Sequence, residues 1–133
     1  MAMTNTPIFA QTPIVGIATL VTPTAITSRA NITGTTGLTQ LTATSTNGTR
    51  VDRITVKASA TSVATNVFVW IYNGTTSYLF DEIDVTAVTA ANTTDSLLVS
   101  KDYSYLSLPP TYQLYVSVSI QQNLNIFALG GQY

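Results

Sequence analysis

A chain of 133 residues falls within the usual size of one domain, and with 45% hydrophobic residues it can fill a core without the metal or disulfide staples that much shorter chains need. Charged residues make up only 8%, with 5 Lys+Arg against 6 Asp+Glu and a formal net charge of −1, so no basic face exists to release counterions from nucleic acid. Histidine and cysteine are absent, which excludes imidazole bases, thiol nucleophiles, Ser-His-Asp triads and zinc or haem sites built from these ligands.

The polar residues are hydroxyls and amides instead of charges: 25 Thr, 11 Ser and 8 Asn. Threonine is β-branched and suits a half-exposed pleated strand. No stretch carries the 3.6-residue apolar period of a surface helix, so an all-β chain is expected.

In chain order, residues 1–30 stand apart. Pro7, Pro13 and Pro23 recur among Thr, Ala and Ile, which suits an N-terminal arm or an edge strand, with residues 31–133 as the β-sandwich domain. Residues 1–6 carry no positive charge, so no secretory leader is expected and synthesis in a cytoplasm is. Residues 13–21 are too short to span a bilayer core of about 30 Å, and no membrane partner is expected.

Strands are predicted near residues 14–21, 38–46, 50–58, 66–72, 77–85, 96–100, 112–120 and 124–129. Asn47-Gly48 and Asn73-Gly74 each predict a tight type I′ hairpin between flanking strands. Pro109-Pro110 predicts a bend. Tyr112, Leu114, Val116, Val118 and Ile120 alternate with polar residues as in a strand with one wet face, and residues 121–123 should turn it back into the last strand. About eight short strands at this spacing predict a single antiparallel β-sandwich of the jelly-roll or Greek-key kind.

Three constellations bear on function. Val67, Val69 and Ile71 alternate with Phe68, Trp70 and Tyr72, so this strand is apolar on both faces and each face needs a cover. Ordinary core packing is one reading. The other is an interface or ligand platform of Phe68, Trp70, Tyr72 and Tyr115, able to stack on sugar rings. The acids Asp81, Glu82 and Asp84 invite a comparison with glycosidase carboxylate pairs, and Glu82 and Asp84 would share a face. A solvated strand face, with Arg50, Arg53 and Lys57 as cross-strand partners for the acids, explains them as well. Four Asn-x-Thr sequons, at Asn31, Asn47, Asn73 and Asn92, are what so hydroxyl-rich a chain produces by coincidence. Gly34-Thr35-Thr36-Gly37 lacks the lysine of a phosphate loop. No catalytic residue, cofactor or metal site is expected.

The run from Asn47 to Ala58, then Phe68-Val69-Trp70-Ile71-Tyr72-Asn73-Gly74 with Tyr78-Leu79-Phe80-Asp81-Glu82-Ile83, Leu108-Pro109-Pro110-Thr111-Tyr112-Gln113-Leu114, and the ending from Asn125 to Tyr133 resemble small β-sandwich virion proteins of tailed bacteriophages, of the capsid decoration or cement type. The likeness covers residues 31–133. It implies a non-enzymatic virion component whose partners are the major capsid protein and further copies of itself, a trimer being favoured, and which lies on the capsid surface and stabilises the assembled shell. The alternative implied by the same residues is a phage tail or fibre module that recognises a host-surface glycan.

Overall fold

The computed structural model describes residues 12–133. The lead-in expected over residues 1–6, and Pro7 with it, lie outside the described residues. Among the described residues nine strands are present: β1 (Thr12–Leu20), β2 (Ile32–Thr33), β3 (Thr39–Gln40), β4 (Thr49–Ala58), β5 (Thr65–Tyr72), β6 (Thr76–Val85), β7 (Leu98–Leu108), β8 (Gln113–Val118) and β9 (Leu124–Gln132). They form two sheets, ordered β1-β9-β4-β7 (sheet A) and β2-β6-β5-β8-β3 (sheet B), and every pair within a sheet is antiparallel. With the two-residue β2 set aside, the remaining eight strands interleave as 1-8-3-6 over 2-7-4-5, the order of a jelly roll.

Alternation along each strand builds the core. Ala18, Leu20, Ile54, Val56, Leu106, Leu108, Leu124, Ile126 and Ala128 of sheet A face Val67, Val69, Ile83, Val85, Leu114, Val116 and Val118 of sheet B, all of them buried in one cluster. Each such Val, Leu or Ile contributes about 1.5–3 kcal/mol by leaving water. Because Ala18 and Leu20 belong to that cluster, residues 12–20 are an integral edge strand of the sandwich.

The structure departs from expectation where strands change sheets. Asn47-Gly48 joins no hairpin: β3 pairs with β8 in sheet B and β4 with β7 and β9 in sheet A, so residues 41–48 are an arch across the core. The expected strand 38–46 shrinks accordingly to β3. Residues 121–123 are likewise an arch, since β8 and β9 lie in opposite sheets. Asn73-Gly74 does close the β5–β6 hairpin, but only Gly74 has positive φ, at 99°. The turn therefore has glycine in the first central position and is not the doubly positive type I′; Asn73 Oδ1 accepts the N–H groups of Thr75 and Thr76 at 3.0 and 2.9 Å.

The strand expected over 96–100 continues to Leu108. Its middle is irregular: Val51 pairs with Leu106 and Arg53 with Asp102, leaving residues 103–105 of β7 opposite Asp52 alone. At the same level on β9, a Cβ on Gly130 would collide with the Arg50 carbonyl, so only glycine lets the strands close around this bulge.

Candidate interaction surfaces

The two-faced strand β5 finds one cover in the opposing sheet and the other in its own chain. After β1 the backbone turns at Thr22, whose φ is 44° and whose N–H donates to Asn123 Oδ1 at 2.9 Å. Ala25 then forms a parallel bridge with Val118, and the Ile26 N–H donates to the Val118 carbonyl at 2.8 Å. From the β8 side the chain crosses to β6, where β2 pairs with residues 76–77 and the Gly34 N–H reaches the Thr75 carbonyl at 2.7 Å. It returns to β8 as β3. Residues 21–40 are thus a strap that passes twice over the outer side of β5.

The strap closes the aromatic platform. The Arg29 guanidinium lies 5.3 Å above the Phe68 ring centre, a cation–π contact, and Phe68 meets Trp70 edge to face at 6.3 Å. Both rings are buried. The Trp70 N–H donates to the buried Ser117 hydroxyl at 2.9 Å, so its one polar group is satisfied. Tyr72 and Tyr115 remain half-buried and stack edge to face at 5.5 Å, with the Tyr72 hydroxyl turned back onto the Gly74 carbonyl at 2.8 Å. The four sequence candidates are neighbours, but only the two tyrosines reach the surface.

The acids are divided between structural tasks. Glu82 Oε1 accepts from Arg29 at 2.7 Å, tying the strap to β6, and these bonds hold its carboxyl below the ordinary range. Asp81 points to the other face and bridges the sheets: it accepts from Lys101 and from the Tyr103 hydroxyl of β7, each at 2.8 Å. Burial works against its charge, but these bonds, the Glu82 N–H and the Lys101 charge outweigh that and lower its pKa. Burial, and then the bond to Asp81, push the Tyr103 phenol well above its ordinary value. Asp84 is exposed beside Asn66. The expected partners are redistributed: Arg53 pairs with Asp102 across β4–β7 at 2.6 Å, Arg50 with Asp52 on its own strand, and Lys57 donates to the Ser96 carbonyl. Among the described residues no three His, Cys, Asp or Glu side chains come together as a metal site would require.

The outer face of sheet A carries a surface that the sequence reading missed. The registers place Val15, Leu129, Arg53 and Asp102 in one row across the four strands, and Ile17, Phe127, Thr55 and Ser100 in the next. Its β1–β9 half is an aliphatic and aromatic stripe, with Val15 59%, Ile17 57% and Leu129 37% exposed. Its β4–β7 half is made of the Arg53–Asp102 ion pair and a Thr55–Ser100 hydroxyl bond of 2.9 Å. The signal was present in the sequence: residues 14–20 and 124–129 are apolar at both odd and even positions, as in β5.

Comparison with known proteins finds no matching protein-family model, no matching curated protein and no matching solved structure.

Proposed function

We propose that this chain is a non-enzymatic structural protein of a tailed-phage particle, seated on the outer surface of the capsid, where it binds the major capsid protein and stabilises the assembled shell. The observation that carries the reading is the stripe of exposed Val15, Ile17 and Leu129 with half-buried Phe127, an uncharged patch on the β1–β9 half of sheet A beside the mutually paired Arg53 and Asp102. Contiguous exposed apolar residues rimmed by polar ones mark protein contact surfaces, and interface cores are depleted in charge. The jelly roll adds fold-level analogy, since capsid proteins use it widely, though lectins do too. The likeness of residues 31–133 to decoration proteins supplies the particular assembly. A general acid needs a raised carboxyl pKa, and Glu82 is shifted the other way, which speaks against the glycosidase comparison.

A protein that binds only the assembled lattice stabilises it by linkage, and many weak sites suffice. Purified particles should therefore contain this chain in a simple ratio to the shell subunit, and particles stripped of it should lose contents at lower temperature. A few copies per particle would move the protein to a tail or fibre tip. Absence from particles would end the reading. The glycan-binding alternative keeps only Tyr72 and Tyr115 as an open platform.

A further inference from the structure

We infer that Asn47 is a site of spontaneous covalent modification in the folded chain: the Gly48 nitrogen closes on the Asn47 side chain, ammonia leaves, and water opens the ring to aspartate or isoaspartate. The second Asn-Gly pair, Asn73-Gly74, is held against the same reaction by its own turn.

The chemistry begins with the residue after asparagine. Of the eight asparagines only Asn47 and Asn73 precede glycine, which has no Cβ to obstruct the approach of its own nitrogen to the neighbouring side chain. In the first step the Gly48 nitrogen loses its proton to solvent base and attacks Asn47 Cγ. A C–N bond forms, the bond from Cγ to Nδ2 breaks, and Nδ2 takes up a proton and leaves as ammonia, so that a five-membered imide joins the two residues. In the second step one water adds to either imide carbonyl. Opening at Cγ gives aspartate, and opening at the main-chain carbonyl gives isoaspartate.

Freedom to turn decides between the two sites. Ring closure needs the asparagine to rotate until Cγ faces the next nitrogen. Asn47 is exposed in the bend that ends the 41–48 arch, and neither it nor Thr46 makes a hydrogen bond among the described residues. The Gly48 N–H likewise has no acceptor among them, so no bond has to break before its nitrogen attacks. Asn73 is fixed by four bonds. Its Oδ1 accepts the Thr75 N–H at 3.0 Å, the Thr75 hydroxyl at 3.0 Å and the Thr76 N–H at 2.9 Å, and its own N–H donates to the Thr76 carbonyl at 3.2 Å. Exposure alone would order the sites the other way, since Gly74 is exposed and Gly48 buried. Hydrogen bonding reverses that order, because having to break even one such bond slows a step by about tenfold.

The position of Asn47 sets the consequence. The Gly48 carbonyl accepts the Tyr133 N–H at 3.2 Å, and a Cβ on Gly48 would meet the Leu108 carbonyl at 2.7 Å. Isoaspartate lengthens the main chain by a carbon immediately before this tight seat. Either product also adds a negative charge to a chain whose formal net charge is −1. The joint between the arch, β4 and the end of β9 is therefore where the modification is felt.

The test follows the folded full chain at mildly alkaline pH, with proteolytic peptides carrying residues 47 and 73 read separately by mass spectrometry and isoaspartate by enzymatic methyl labelling. Conversion at Asn47 should outpace that at Asn73 by at least about tenfold and rise with pH. In urea-unfolded chain, where the bonds that hold Asn73 are gone, the two rates should converge. Thr75→Val, which removes the hydroxyl bond to Asn73 Oδ1, should speed conversion at Asn73 alone. Asn47→Gln should abolish the acidic species on isoelectric focusing with melting unchanged, and hydrogen exchange at the Tyr133 amide should be faster in the isoaspartyl form than in the parent. No conversion at Asn47 over a time in which the unfolded chain converts, equal rates at the two sites in the folded chain, or faster conversion at Asn73 would overturn the inference.

Discussion

Asp81 shows how a single side chain closes a sandwich. It reaches from β6 to Lys101 and Tyr103 on β7, tying sheet B to the strand at the edge of sheet A. Its folded pKa is depressed, so its contribution is fully present above the ordinary carboxylate range and is lost as pH falls through the folded value. Asp81→Asn should cost about 1–2 kcal/mol at neutral pH and flatten the loss of stability on acidification; urea unfolding at neutral pH and near pH 3 checks both. Thr49 is a residue of the opposite kind, with a buried hydroxyl that has no partner among the described residues. Thr49→Val should raise stability by up to about 1 kcal/mol in the same unfolding experiment, because an unsatisfied buried polar group is removed at constant shape.

At the scale of elements, the strap decides the fate of the aromatic strand. It is held by the Arg29–Glu82 pair, the Gly34–Thr75 and Ser77–Gly34 hydrogen bonds, and the seating of Gly37 against Ile26. Gly37 has φ of 80°, and a Cβ there would lie 3.1 Å from Ile26 Cδ1. Gly37→Ala is both strained and crowded, so hydrogen exchange at the Ile26 and Gly34 amides should accelerate while β4 and β9 keep their protection. Uniform acceleration would show that the strap unfolds only with the whole. Trp70→Ala should cost about 3–5 kcal/mol, as a core residue does, with melting temperature as the readout. The two Asn-Gly dipeptides carry the same turn chemistry, yet only Asn73-Gly74 closes a hairpin. Local propensity marks where the chain can turn; whether the next strand pairs backward or crosses to the other sheet depends on which sheet has room for it.

In the whole molecule, β9 lies between β1 and β4, so the last strand completes the pairing of the first. A chain lacking residues 124–133 should show no cooperative thermal transition by circular dichroism, since β1 would lose its only ladder partner among the described residues and the core would lose Leu124, Ile126 and Ala128. The all-β class, the two-sheet sandwich and six of the strands were legible because alternation in segments such as 50–58 and 112–120 reports a buried and a wet face directly. The extension of β7 was not, because residues 101–105 lie on an irregular edge and bury little, leaving no period to read. The candidate site was legible only in part: the sequence shows that β5 needs a cover on each face, but not which segment supplies it.

The sequence by itself determined the class of structure, the turn positions and the absence of histidine and cysteine chemistry, because these depend on residue identity and nearest-neighbour periodicity. Only the tertiary structure decided that Phe68 and Trp70 are closed in by residues 21–40 while Val15, Ile17 and Leu129 face outward. Both sets belong to strands that are apolar on two sides, and nothing local distinguishes a face covered by its own chain from one left for a partner. That choice is made by contacts between residues far apart in the chain, Arg29 with Glu82 and Ala25 with Val118 among them.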